Sequence, residues 1–348
     1  MGDKAGKRRA PATVRTIAKA AGVSIGSVSS VLNNRHLERR ISIDTVEKIK
    51  AAAAKLGYLP NLSARRLRSH STPRNSVVVA LMTSFEAPIP LVNHFVAALR
   101  TTIAADLPYT ISVVIEMFSA GKLREVPGLL TGDHFNAAII LNTISEDDQF
   151  LTRTKLPYPV VLVNRNVPGY ASVIEDPQSG TRSAKLLLQH RRRKLAVLHG
   201  APLTQITRTR VDSFMRQAGE ALGQAPQEIV ANRLSEEGGY EAMKAFLAKN
   251  KSAVDGVYAV SDALALGAYH AIKEHRLRLP QDIAVVGVGD YAIAPFFDPP
   301  LACVGVSHRV LAEEASAMLL RQLGQSAIPE ERVVVPVVEV PRASLQKP

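Results

Sequence analysis

Apolar residues in the first sixty positions recur at helical spacing. Val14, Ile17, Ala18 and Ala21 share one face of a short helix that Thr13 is placed to cap and Gly22 to stop. After a turn of only Gly22-Val23-Ser24, Ser24 caps a second helix running from 25 to about 33, whose Val28, Val31 and Leu32 face the first. Two short helices joined by a three-residue turn containing glycine make a helix-turn-helix. A third helix is predicted from about 44 to 56, with Val46, Ile49, Ala53 and Leu56 inward and Gly57 as its stop. Three helices with that turn form a minimal DNA-reading unit.

Beyond residue 74 the pattern changes. Apolar runs suited to buried strands lie at 77–82, 111–115, 137–141, 160–163, 195–198, 257–260 and 283–286, and they alternate with helical stretches such as 91–105, 178–190, 208–222, 237–249 and 262–275. Such alternation means parallel sheets covered by helices on both faces. Seven or more units divide most economically into two lobes, and ligands of open α/β sheets sit beyond the carboxyl ends of the strands. The organisation expected is a basic tail at 1–12, an all-α helix-turn-helix head at 13–58, a hinge helix and linker at 59–73, and an α/β body of two parallel-sheet lobes at 74–348.

Composition narrows the function. With 348 residues, 46% hydrophobic and 21% charged, the chain is an ordinary globular protein of about two or three domains. No apolar run reaches the roughly 18 residues of a membrane span. The start, MGDKAGKRRAPATV, lacks the apolar stretch of a secretory signal, so a cytoplasmic location without membrane contact is expected. The lone Cys303 allows neither an intramolecular disulfide nor a cysteine-rich zinc site, and no HExxH spacing occurs. Charge is concentrated: residues 1–72 hold 15 Lys and Arg against 4 Asp and Glu, a net of +11, whereas the rest holds 28 against 27. A basic head on a neutral body points to a polyanion, with nucleic acid first and an anionic membrane second. Lys4, Lys7, Arg8 and Arg9 read as a solvated flexible tail.

The run TVRTIAKAAGVSIGSVSSVLN, followed by VEKIKAAAAKLGYLPNLSARRLRS, resembles the DNA-binding head and hinge of the lactose-repressor (LacI/GalR) family. AxxAGVSxxxVSxVLN joined to A-x-x-LGYxPNxxAxxL is an extended composite signature, far more specific than a bare helix-turn-helix. The likeness continues through VVVALMTSF, GDHFNAAIILN, VVLVNR, TRTRVDSF, SDALALGAYHAIKEHRLRLPQDIAVVGVGD and the PPL at 299–301. It implies two periplasmic-binding-protein-like lobes closing on a small effector.

The resemblance also implies roles. Ile25, Gly26 and Ser30 take base-reading positions of the second helix and Ser29 a phosphate-facing one. None of them carries a bidentate Arg, Asn or Gln, and Ile25 offers only apolar contact, for which simple packing is the plainer reading. Thr13, Ser24 and Asn33 complete the head set. Arg15, Thr16, Arg35, His36, Arg39 and Arg40 are candidates for phosphate contacts or for plain solvation. In the hinge, Asn61, Ala64, Leu67 and Arg68 lie on a helix too short to be stable alone, and Leu67 matches the leucine that levers a minor-groove step apart. Whatever sets the spacing of two bodies then decides whether two hinges can fold together.

For the effector, Arg210 and Asp262 match the family's ligand-binding arginine and carboxylate, with a surface cation and a helix N-cap as the plainer readings. Ser84, Phe85, Asn142, Asp147 and Arg165 are candidates at strand ends. Leu234 stands where the family often presents an aromatic ring, Val306 and Ser261 replace commonly polar and Asn positions, and Asn136-Ala137 replaces Asp-Gly. A pocket with fewer aromatic and amide groups suits a neutral pyranose poorly. A sugar or sugar derivative remains the implied effector, with a sugar acid, a phosphorylated metabolite, a protein co-effector or no effector as alternatives.

Enzyme signatures are missing: there is no GxGxxG after the first strand, no GxxxxGK[ST] and no GxSxG. The GVGD at 287–290 reads as a turn, and no spacing unites His94, His199 and Asp147-Asp148. A solute-binding protein would need a signal peptide and no basic head. The expected protein is therefore a non-enzymatic homodimeric regulator without cofactor or metal, a repressor that reads a pseudo-palindromic operator in double-stranded DNA and answers to a small molecule. Dimerisation is expected through the body, and the absence of leucine heptads after VVVPVVEVPR gives no expectation of a tetramer-forming helix. A regulator under a protein co-effector, an activator and a weakly selective DNA-architectural protein are the alternatives.

Overall fold

The computed structural model describes residues 14–32, 39, 41–55, 75–87, 89–103, 109–132, 134–249, 253–289, 293–323 and 330–345. Thr13, Arg35, His36, Asn33, Arg40, Asn61, Ala64, Leu67, Arg68 and the tail at 1–12 lie outside the described residues. The chain divides into two units, 1–72 and 73–348.

In the first unit α1 (Val14–Ala21), α2 (Ile25–Leu32) and α3 (Ile43–Lys55) enclose one small core. Ile17, Val28 and Ile49 are fully buried at its centre, with Ala18, Val31, Val46 and Ala53 around them. Gly22, at φ +65°, lets the chain reverse after α1, and Val23 N–H closes on the Ala18 carbonyl at 3.1 Å. Ser24 Oγ accepts from Ser27 N–H at 3.0 Å, the N-cap of α2. The third helix begins one residue before its predicted start because Ser42 already accepts from Val46 N–H through its carbonyl.

Among the described residues the second unit holds two six-stranded sheets. The first contains β1 (Asn75–Ser84), β2 (Tyr109–Phe118), β3 (Ala137–Ile140), β4 (Val160–Val163), β5 (Ala171–Glu175) and β11 (Arg332–Val335), in the order β11-β5-β4-β3-β1-β2, all parallel. The second contains β6 (Leu195–Gly200), β7 (Gln227–Ala231), β8 (Gly256–Ala259), β9 (Ala284–Gly287), β10 (Ala302–Gly305) and β12 (Val338–Val340), in the order β12-β10-β9-β8-β6-β7, with only β12 antiparallel. In each lobe the second strand lies outside the first and the third on its other side, so each has a switch point between its first and third strands.

Strand β1 shows how period two builds both faces. Val79 and Leu81 pack into one cluster with Phe95 and Leu99 of α4 (Ile89–Ile103), while Ala80 and Met82 point oppositely into a second cluster with Leu123, Phe135 and Leu151. Helix α5 (Ser145–Thr152) serves that second face. Helices α6 (Ser179–Gln189), α7 (Gln205–Leu222), α8 (Glu236–Lys249) and α9 (Asp262–Glu274) cover the second sheet. Helix α10 (His308–Gln322) returns to the first lobe and packs on α4 and against β3, β4 and β5. The chain thus crosses between lobes three times, after β5, β10 and β11.

Glycine permits the closest approach of two helices, α8 and α9. A Cβ on Gly267 of α9 would collide with the Glu236 carbonyl and Tyr240 nitrogen of α8, and one on Gly239 would collide with the Leu264 carbonyl. Backbone cannot yield as a side chain does, so overpacking here costs about 1–3 kcal/mol. Gly267→Ala is expected to lower the thermal midpoint of the body by several degrees, whereas Gly169→Ala, which meets no atom within 4 Å, pays only the strain of its φ of +84°. Differential scanning calorimetry of the two variants measures the difference.

Candidate effector cleft and DNA-reading helix

In the head, Ser24, Ile25 and Gly26 at the start of α2 are exposed, Ser29 and Ser30 are partly buried on later turns, and Arg15, Thr16 and Arg39 lie on the surface. Ile25 is 47% exposed and so contributes little to the head's core, which leaves its side chain at the surface. A Cβ on Gly26 would meet nothing closer than Ser24 Oγ at 3.6 Å. Packing within the head does not demand glycine there; its effect is a helix start whose backbone a ligand can approach closely.

In the body a cleft of about 330 Å³ opens between the lobes. Both switch points feed it: Ser84 from the end of β1 and Asn142 after β3, and, from the second lobe, Gly200 at the end of β6 and Ser261 after β8. Arg165 after β4, Arg210 on α7, Leu234 after β7 and His308 at the start of α10 complete it.

The two arginines are committed. Arg165 is 1% exposed; its Nε donates to the Thr143 hydroxyl at 2.7 Å and carbonyl at 3.1 Å, Nη1 to the Asn164 carbonyl at 2.7 Å and Nη2 to the Thr143 carbonyl at 2.5 Å. Burial lowers it to about 10, opposed by Asp148, which lies 3.8 Å away. Arg210 forms a two-pronged pair with the buried carboxylate of Glu175 at the end of β5, Nε donating at 3.1 Å and Nη2 closing on the other oxygen, while Nη1 reaches the Val260 carbonyl at 3.3 Å. Because Arg210 belongs to the second lobe and Glu175 to the first, the pair spans the two. Sequence reasoning did not select Glu175. Its signal was an acidic residue closing the apolar run ASVI, a strand the hydrophobic pattern passed over.

Three sequence candidates do not line the cleft, and two of them, Asp147 and Asp262, serve the framework instead. The Asp147 carboxylate is 1% exposed and accepts from the backbone N–H groups of Gly121 and Leu123, both at 2.9 Å, and of Ile144 at 3.2 Å, pinning the turn after β2 to α5. Asp262 Oδ1 accepts from Val288 N–H at 3.2 Å and secures the loop after β9; the N-cap of α9 is Ser261, whose Oγ accepts from Ala263 N–H at 3.2 Å. Phe85 is 61% exposed outside the cleft wall. Of the substituted positions, Asn136 Oδ1 accepts from Val78 N–H at 2.8 Å, a structural tie, and Val306 is buried. Asn142 sits at φ 54°, a left-handed conformation asparagine tolerates, and its buried Nδ2 has no hydrogen-bond partner among the described residues.

His308 stacks obliquely near His94 of α4, ring centres 6.2 Å apart. Burial, then the positive Arg210 and His94, lowers it to about 3, so it is neutral at physiological pH. Among the described residues no group of three or more His, Cys, Asp or Glu could hold a metal ion, and no described helix is long and apolar enough to cross a membrane.

Two family models match. Residues 13–61 fit bacterial regulatory proteins of the lacI family, and residues 184–345 fit a periplasmic binding protein-like domain. The chain joins a lacI-family helix-turn-helix domain to a periplasmic binding protein-like domain. It is 26% identical over 318 residues to the transcriptional repressor PurR of Haemophilus influenzae, covering 90% of this chain and 91% of that one. It is 29% identical over 321 residues to the regulator GalS of Salmonella typhimurium, covering 89% of each. Among solved structures, the lac repressor dimer bound to operator and an anti-inducer is similar at a TM-score of 0.69 and 25% identity, covering 97% of this chain and all of that one. The regulator CelR in complex with cellobiose is similar at a TM-score of 0.64 and 25% identity, covering 96% and 99%. Like these LacI/GalR relatives, the chain is a DNA-binding transcriptional regulator and not an enzyme.

Two measurements test the cleft's electrostatics. Glu175→Gln leaves Arg210 buried without its anion and is expected to destabilise the body by about 3–5 kcal/mol in urea unfolding, most of which the double variant Glu175→Leu/Arg210→Met recovers. His308 has an ordinary value of 6.5 when unfolded and about 3 when folded. The unfolded chain therefore takes up that proton first: the contribution of His308 to stability is fully present above pH 6.5 and is lost progressively as pH falls toward 3. His308→Gln is expected to reduce the fall in thermal midpoint between pH 7 and pH 5; His94, also lowered by burial and by Arg309, retains the remainder.

Proposed function

We propose that the protein is a dimeric repressor whose operator binding is set by a small molecule held between the two lobes. The observation that carries this reading is the cleft itself, built from the carboxyl ends of strands at both switch points in a chain whose other unit is a helix-turn-helix with an exposed reading edge. The lac repressor relative is a dimer on its operator, and the CelR relative holds cellobiose; both support the same use of the fold here. Dimerisation through the body fits the apolar surface beside β2, an edge strand of the first sheet on which Ile115 is 50% and Met117 43% exposed, on the α4 side where Ile89 and Val96 are also exposed. Two heads would then read two half-sites, and two hinges, each with Leu67, would fold only when held together. A cytoplasmic location accords with a DNA partner.

The test is binding of the full-length protein to the DNA flanking its own gene, at fixed salt and with competitor DNA. Competitor-resistant binding by a particle of two chains is expected, with Leu67→Ala weakening the specific complex and reducing DNA bending. Equal affinity for flanking and random DNA would replace the repressor by a DNA-architectural protein.

A further inference from the structure

Of residues 24–28, which open α2, Ile25 is the one large side chain that the head leaves at the surface. Val28 is fully buried, Gly26 has no side chain, and Ser24 and Ser27 turn their hydroxyls toward each other at the cap, 2.9 Å apart. Ile25 is 47% exposed. A single exposed isoleucine on a protein surface carries no message by itself. This one is set apart by its place, because the first residues of the second helix of a helix-turn-helix face base edges in the major groove. It is not there for the helix, since a β-branched residue is a mediocre helix former.

The surface around it is built for a duplex. Residues 1–72 carry a net charge of +11, and residues 13–61 fit the lacI-family DNA-binding domain. Lysine and arginine contacts to phosphates supply affinity but carry no sequence information; sequence is read from the base edges. Almost every feature those edges present in the major groove is a hydrogen-bond donor or acceptor, and the exception is the C5-methyl group of thymine. Isoleucine can neither donate nor accept, so that methyl is the feature with which its own methyls gain by leaving water together. The branch at Cβ holds the side chain near one rotamer, so little freedom is lost on docking. Gly26 completes the arrangement. A Cβ there would meet nothing closer than 3.6 Å, so packing does not call for glycine, and the bare backbone lets the helix come close enough for a short side chain to reach the groove floor. Ser29 and Ser30, one turn on, are partly buried, and a serine hydroxyl pairs with donors and acceptors alike and discriminates weakly.

We infer that Ile25 reads a thymine through its C5-methyl group, so that one position of each operator half-site is defined by a methyl and not by a hydrogen bond. The inference rests on the reading of the protein as a sequence-selective repressor. It carries a consequence for the DNA. Uracil keeps the O4 acceptor of thymine but lacks the methyl, and is disfavoured at that position. 5-Methylcytosine presents a methyl at the same place in the groove and is favoured there over cytosine, so methylation of a cytosine at that position strengthens binding.

The experiment starts with the full-length protein and a randomised duplex library, from which the bound sequence is selected at fixed salt. The selected duplex is then remade with uracil, cytosine or 5-methylcytosine at each thymine of one half-site in turn, opposite the matching purine, and affinities are read by fluorescence anisotropy. At one position uracil is expected to bind about fourfold more weakly than thymine, and 5-methylcytosine about fourfold more tightly than cytosine, the worth of one buried methyl. Ile25→Ala removes an exposed side chain and favours the helix; it is expected to erase both differences while leaving the salt dependence, which counts phosphate contacts, unchanged. Ile25→Val serves where the alanine variant binds too weakly to measure, and is expected to reduce both. Failure to find a position with both methyl effects overturns the inference and leaves the repressor reading standing. So do methyl effects that persist in Ile25→Ala, which assign them to duplex shape. Equal affinity for the selected and random duplexes overturns the repressor reading and the inference with it.

Discussion

The ion pair between Arg210 and Glu175 is the interaction on which the body's organisation turns. It joins a helix of the second lobe to the last consecutive strand of the first, away from water, with the Val260 carbonyl taking the guanidinium's remaining arm. A buried pair of this kind gains little net stability over a matched apolar contact, because desolvation offsets most of the attraction. What it fixes is geometry. A fork donor on a carboxylate tolerates few orientations, so the pair sets the angle and spacing at which the lobes face each other. It also sets the cleft's electrostatics, since the cation that could have met a ligand is satisfied by the protein. The Asn166 N–H to Gln205 bond at 2.8 Å links the same two lobes at the exposed rim, where water competes and the constraint is weaker.

How far the sequence foretold this arrangement depends on the range of each interaction. Within its described residues the head was legible almost to the residue, because the Ser24 cap, the stop at Gly22 and the apolar spacing act within one helical turn. The parallel strands with four or more consecutive apolar residues were legible for the same reason. Strands β5, β7 and β10 were not: Ser172 and Glu175 interrupt the first, Gln227 and Glu228 open the second, and Ala302 to Gly305 is too short and small to stand out. Helix α10 escaped because its inward face interleaves Leu311, Met318 and Leu319 with the small Ala312, Ala315 and Ser316 and the polar Gln322, which weakens the apolar period.

Placement at the site divides along the same line. Ser84, Asn142, Arg165, Arg210 and Leu234 reach the cleft because strand ends and one helix face carry them there, a topological property that pattern reading can follow. Asp147 and Asp262 looked equally suited, yet each is drawn to backbone N–H groups in a distant turn, 24 to 26 residues away. Nothing local in the sequence announces which distant N–H will be left over when a fold closes. The same holds for Glu175, whose partner is 35 residues away and in the other lobe.

The three crossings have a bearing on how the chain is made. The second lobe is nearly continuous between residues 179 and 305, lacking only its antiparallel edge strand β12. The first lobe is not: strands β1 to β5 leave the ribosome early, but α10, which covers α4, and β11, which pairs with β5, follow only after the whole second lobe has been synthesised. Until then β5 presents an open edge and the Phe95 face of α4 lacks its cover, a high-contact-order arrangement that exposes apolar surface during elongation. The lobe that is encoded first is therefore the one completed last, and a nascent chain halted before residue 308 carries the aggregation hazard of an unfinished sheet.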